Sequence, residues 1–113
     1  MTITLYHNPR CRTSRAALAL LQKEGVEPDI IEYLKTPFSA AELKRLTKML
    51  GLTPRQLLRK KEAKEAGLDK PTLSDDAIIA AMVKHPIVIE RPIAVNGKKA
   101  ALGRPPEKVL EVL

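Results

Sequence analysis

The apolar positions fall into short blocks whose spacing alternates between that of strands and that of helices. Ile3 and Leu5, interleaved with Thr4 and Tyr6, predict a short strand, which the turn-forming pair Asn8-Pro9 ends. Ala17, Leu18, Leu20 and Leu21 then share one face of a helix, with Ser14 as its expected N-cap and Gly25 as its C′ stop. Ile30, Ile31 and Tyr33 form a second β-branched and aromatic run. Two strands joined through one helix make the βαβ pattern of parallel neighbours, and Cys11 falls in the loop between the first strand and the helix.

Further along, Ser39-Ala40-Ala41-Glu42 has the form of a capping box and opens an amphipathic stretch through Leu43, Leu46, Met49 and Leu50 to Gly51. Thr53-Pro54 is expected to start another helix through Leu57 and Leu58, and the charged stretch from Lys60 to Lys70 a solvated, mobile connection or frayed helix. Ser74-Asp75-Asp76 caps a helix carrying Ile78, Ile79, Met82 and Val83, which ends before His85-Pro86 with His85 near the carbonyl ends. Residues 87–89 and 93–95 read as strand, and Asn96-Gly97 is a two-residue hairpin signal toward Lys99-Ala100-Ala101-Leu102. Pro105-Pro106 opens a terminal helix with Val109, Leu110, Val112 and Leu113. The fold class expected is α/β, one domain over residues 1–113. A mixed β-sheet carries a helical insertion at about 38–85 after the β-α-β unit, then a β-hairpin and a C-terminal helix.

Composition narrows the function classes. Hydrophobic residues make up 44% and charged residues 29%, as in ordinary folded domains. No apolar run approaches the ~20 residues of a membrane helix, and Met1-Thr2-Ile3-Thr4-Leu5 does not read as a leader, so a cytoplasmic protein without a membrane partner is expected. A single cysteine forms no internal disulfide, and any redox chemistry at Cys11 needs a thiol from another molecule. The 20 Lys and Arg against 13 Asp and Glu give +7, which attracts anions. Three aromatic residues, Tyr6, Tyr33 and Phe38, are too few to stack single-stranded nucleic acid, so the charge fits a small anion at least as well as a polymer.

Cysteine as a residue type is often a small buried hydrophobe, but the polar flanks Arg10 and Arg12 argue against burial of Cys11. A helix N-terminus, with Arg10, Arg12, Arg15 and His7 close in sequence, favours its thiolate. The hairpin supplies a second clue. With Asn96-Gly97 as the turn, positions near 91 pair with positions near 102, and Arg91 and Arg104 lie at the same open end. Two guanidiniums placed together suit bidentate binding of a tetrahedral oxyanion. Arg59, in Arg59-Lys60-Lys61, reads by itself as part of a charge run, and His7 by itself as a strand-end hydrogen-bonding group.

His7-Asn8-Pro9-Arg10-Cys11-Arg12-Thr13-Ser14-Arg15 resembles the nucleophile loop of the glutaredoxin-coupled, ArsC-like arsenate reductase family, which shares a thioredoxin-like fold with the Spx-type regulators. The resemblance continues in order through Leu57-Leu58-Arg59, Glu90-Arg91-Pro92-Ile93 and Gly103-Arg104-Pro105-Pro106. It departs at Arg12, where Gly is frequent, and at Leu113, where a C-terminal extension is missing, and so points to a shorter, YfgD-like branch. The resemblance implies a thioredoxin-like fold, Cys11 as nucleophile with His7 and Ser14 in the catalytic group near it, and Arg59, Arg91 and Arg104 as oxyanion ligands. It also implies that Pro92 is the cis-proline facing the cysteine.

On this reading the protein reduces arsenate to arsenite through an arseno-cysteine at Cys11, with reduced glutathione as cosubstrate, glutaredoxin as partner, no tightly bound cofactor and no metal. It is expected to act as a monomer. The alternative is an Spx-like regulator or protein-binding module contacting RNA polymerase. Such regulators switch through a Cys-x-x-Cys pair, and Ser14 occupies the second position here, so that role would have to work without a disulfide switch.

Overall fold

The computed structural model describes residues 2–113, which gather into two compact units. The first comprises the chain up to Thr36 together with Arg91–Leu113, and the second is Pro37–Glu90. Among the described residues no helix is long and apolar enough to cross a membrane.

The first unit is built on a four-stranded mixed sheet. Strand β1 (Thr4–His7) leads through helix α1 (Arg12–Lys23) to β2 (Asp29–Glu32), and the C-terminal part adds β3 (Ile93–Asn96) and β4 (Lys99–Leu102). The order is β2-β1-β3-β4, with β1 parallel to β2 and antiparallel to β3, and β3 antiparallel to β4. This is the α/β architecture expected from the sequence. Ile3, Leu5, Ala17, Leu21, Ala94, Ala101, Val109 and Val112 form one buried cluster. It is reached by alternation on the strands and by i, i+4 spacing on α1. Ser14 lies on the same helical face as Ala17 and Leu21 and is buried with them.

Several local expectations need correction. Helix α1 begins at Arg12 with Cys11, not Ser14, at the N-cap, because the Ser14 hydroxyl bonds upstream and is not available as a cap. The second strand stops at Glu32, so Tyr33 lies just beyond it, still buried. The hairpin turns at Gly97-Lys98, one residue later than Asn96-Gly97. Asn96 stays in β3 opposite Lys99, its Nδ2 donating to the Val112 carbonyl at 2.7 Å, while Gly97 takes the positive φ of 62°. The C-terminal segment Pro106–Val112 is a 3₁₀ helix rather than an α-helix. Its three-residue period sets Val109 and Val112 on one face, toward the cluster.

In the second unit, α2 (Ala40–Leu50) starts with the capping box foreseen, Ser39 Oγ accepting from the Glu42 amide and Glu42 Oε1 from the Ser39 amide, both at 3.1 Å. Thr53-Pro54 leads into a 3₁₀ turn at Arg55–Leu57 rather than a longer helix. The charged stretch contains an ordered helix, α3 (Lys60–Glu65), which buries Ala63 and carries an Arg59–Glu62 ion pair of 2.8 Å. Helix α4 (Asp75–Lys84) packs on α2, is capped by Ser74 and ends at His85, as expected. Residues 86–88 form a 3₁₀ turn instead of a strand. Pro86 has no N–H to give a ladder, and the amides of Val88 and Ile89 bond back to His85 and Pro86 at 3.1 Å. Ile89 makes a single antiparallel bridge to Leu58, so this unit extends past the expected end at 85.

The peptides Arg91-Pro92 and Arg104-Pro105 are both cis. Between them Gly103 donates to the Pro92 carbonyl at 2.8 Å, and a Cβ at Gly103 would come within 2.8 Å of Pro92 Cγ and Val109 Cγ1. A methyl there forces ring and core apart. Gly103→Ala is therefore expected to destabilise the protein by about 1–3 kcal/mol, the usual range for overpacking, as a lower urea midpoint at unchanged slope.

Candidate active site

The antiparallel pairing of β1 with β3 sets Tyr6 opposite Ile93. The loop leaving β1 and the segment entering β3 are consequently at the same end of the sheet. One holds Cys11 and the other Arg91-Pro92.

The loop is pinned from below by a buried hydroxyl. Ser14 Oγ accepts a hydrogen bond from the Asn8 amide at 3.1 Å and lies 2.7 Å from His7 Nδ1, also hydrogen bonded. Asn8 closes the turn above it. Its Oδ1 accepts from the Arg10 amide at 3.0 Å and its carbonyl from the Cys11 amide at 3.0 Å. His7, Asn8 and Ser14 are all buried, where leaving such groups unbonded costs about 1–3 kcal/mol each. The turn is thereby fixed, and the Cys11 carbonyl accepts the first helical bond, from Arg15, at 3.0 Å.

Cys11 is half-buried. Burial pushes its thiol up, but the backbone N–H of Ser14, the Arg91 guanidinium through hydrogen bonding and charge, and the backbone N–H of Thr13 outweigh it, and the pKa falls below the ordinary value. The sulfur stands where a capping oxygen would at the start of α1, so the unsatisfied amides of the first turn serve the thiolate. The flanking arginines, expected from the sequence to supply this effect, are not among its causes. Arg15 Nη1 instead donates to the Pro9 carbonyl at 2.9 Å, and Arg10 and Arg12 are exposed. The cation that matters comes from the far end of the sequence.

Arg91 is only 7% exposed. Pairing of Ile93 with Leu102 sets positions 91 and 104 opposite one another beyond the strands, and Arg104 Nη1 donates to the Arg91 carbonyl at 3.2 Å. One buried and one exposed guanidinium thus stand at the end of the hairpin, one of them against the sulfur. His7 is 5% exposed, and burial is the main cause that lowers its pKa, with the charge of Arg15 adding to it and that of Glu32, its β2 neighbour, opposing. Its burial thus favours the neutral imidazole. Arg59 belongs to the helical unit, at the N-cap of α3, with its Nε on Glu62. Among the described residues no three His, Cys, Asp or Glu side chains gather as metal ligands. The sequence marks Asn8 as half of the turn-forming pair that ends β1 and as part of the loop motif, but not as a side chain that fixes the loop. An Asn-Pro pair just before a cysteine is the signal that could have shown it, since Asn side chains cap their own turns.

Residues 6–112 match the family model of the ArsC family. The chain is 50% identical to the Escherichia coli K12 protein YfgD over 114 residues, covering 98% of this chain and 96% of that one. It is 47% identical over 115 residues to an arsenate reductase of Rhizobium meliloti, covering 100% of this chain and 82% of the other. A solved structure of an arsenate reductase from Vibrio cholerae superposes with a TM-score of 0.95 at 51% identity, covering 100% and 98% of the two chains.

The environment of Cys11 predicts a pH profile. Alkylation by iodoacetamide should show a midpoint below the ~8.5 of a free cysteine, and Arg91→Gln, which removes a cation and donor from the thiolate, should move it upward. A midpoint at or above the free value, or one indifferent to Arg91, would contradict the assignment.

Proposed function

Because the chain belongs to the ArsC family, we propose that it reduces arsenate to arsenite with electrons from glutathione and glutaredoxin. The observation that carries this reading is a stabilised thiolate, Cys11, held beside the buried guanidinium of Arg91. A nucleophile and a fork of donors for a tetrahedral oxyanion then sit together.

In the first step the Cys11 thiolate attacks arsenic of dihydrogen arsenate. With one proton taken up, a sulfur–arsenic bond forms and water leaves, giving Cys11–S–AsO₃H⁻. The buried network of His7, Asn8 and Ser14 supports the step by fixing the loop that carries the thiolate. Arg91 and Arg104 hold the oxyanion as charge shifts onto its oxygens, and Arg59 enters as a third ligand on the strength of its motif, Leu57-Leu58-Arg59.

Reduction of arsenic from +5 to +3 takes two electrons. Two external thiols provide them, one from glutathione and one from glutaredoxin, and end as a disulfide while arsenite is released. The protein has no second cysteine to do this itself. The same fact weighs against the regulator reading, because the position a switch disulfide would need is taken by the buried Ser14 hydroxyl.

In an NADPH-linked assay with arsenate, glutathione, glutaredoxin and glutathione reductase, turnover is expected and Cys11→Ser should abolish it, since hydroxyl is a far poorer nucleophile at neutral pH. Arg91→Lys and Arg104→Lys keep the charge but lose the planar fork, and each should lower kcat/KM about ten- to a hundredfold, whereas the exposed control Arg45→Lys should not. Activity surviving Cys11→Ser, or equal losses in the control, would overturn the reading.

A further inference from the structure

A protein with one thiol that works through that thiol needs a seat for the molecule bringing the second. Beside the nucleophile loop a cleft of about 260 Å³ opens between Pro9 and Arg10 on one side and Glu32, Leu34 and Lys35 at the end of β2 on the other. It lies over the buried pair His7 and Asn8. The cleft is somewhat below the roughly 300–1,000 Å³ of sites for drug-sized ligands, a size for a short peptide.

Its charges are arranged rather than uniform. Arg10 and Lys35 are exposed cations, and Glu32, also lining the cleft, is a half-buried anion 3.5 Å from Lys35 Nζ in a loose pair. Pro9 and Leu34, the latter 38% exposed, give apolar walls. A simple oxyanion gains from the two cations but is repelled by Glu32. A ligand with two carboxylates and one ammonium meets all three. Arg10 directly precedes Cys11 in the chain, so the cleft borders the loop that carries the sulfur.

We propose that this cleft is the subsite for the external thiol, binding glutathione by its two carboxylates at Arg10 and Lys35 and its ammonium at Glu32. The proposal deepens the reading of the reaction given above and rests on it for the role of the thiol. Seated there, glutathione lies beside the loop that carries Cys11.

Thiol–disulfide exchange tests the subsite without arsenate. The Cys11 thiolate attacks oxidised glutathione, forming a Cys11–glutathione disulfide and releasing one glutathione thiolate, and the adduct is read by mass spectrometry. Dividing its rate by that with neutral hydroxyethyl disulfide cancels changes in thiol reactivity. Arg10→Glu/Lys35→Glu should lower this ratio about three- to tenfold, the scale of two exposed ion pairs. The matched control Arg45→Glu/Lys48→Glu should leave it unchanged. Glu32→Gln is decisive, because loss of the ammonium's partner lowers the ratio, whereas general attraction of an anionic disulfide would raise it. A ratio that rises or stays level in Glu32→Gln, or falls equally in the control, overturns the proposal. Lowered ratios without arsenate turnover would uphold the cleft and refute the arsenate reading. Turnover with unmoved ratios would refute the cleft alone.

Discussion

The Ser14 hydroxyl ties the end of β1 to the first turn of α1. It bonds at once to the Asn8 amide and the His7 ring, all three residues being buried. In such surroundings a hydrogen bond is strengthened and its loss leaves polar groups stranded, so the three act as one unit. Asn8 passes the constraint on through its carbonyl to the Cys11 amide. The cysteine is thus set at the N-cap of α1, where the backbone N–H groups of Ser14 and Thr13 favour its thiolate. A mobile loop would offer the same residues without the same field.

The second support arrives from the opposite end of the chain. Antiparallel pairing of β1 and β3 brings Arg91 to the nucleophile, and the hairpin register brings Arg104 to Arg91. Burial alone would favour the neutral thiol. The helix amides and the Arg91 guanidinium reverse the sign, and on the proposed reading the same guanidinium would offer a fork to an incoming oxyanion.

Much of this was legible in the sequence. The strand, loop and helix around Cys11 follow from local apolar spacing and the Asn8-Pro9 turn, and the capping box at Ser39 marks the start of α2 directly. What escaped were features decided by tertiary contacts. Ser14 looks like a helix cap because hydroxyls cap helices, and only the fold shows it turned inward to Asn8 and His7. Asn96-Gly97 looks like a turn, but the bond from Asn96 to the Val112 carbonyl keeps Asn96 in the strand and moves the turn by one residue. That shift sets position 104, rather than 102, across from Arg91. Sequence proximity points to the flanking arginines as the cations that activate the thiol, whereas the effective one is Arg91, eighty positions away.

Whether the Cys11 thiolate faces the oxyanion site is tested most directly by its alkylation at pH 7 in rising arsenate with no thiol present. Arsenate that docks against Arg91 and Arg104 must cover or occupy the sulfur, so a saturable fall in the iodoacetamide rate is the predicted result, weakened by Arg91→Lys. A rate indifferent to arsenate at every concentration would contradict the placement of nucleophile and oxyanion in one site.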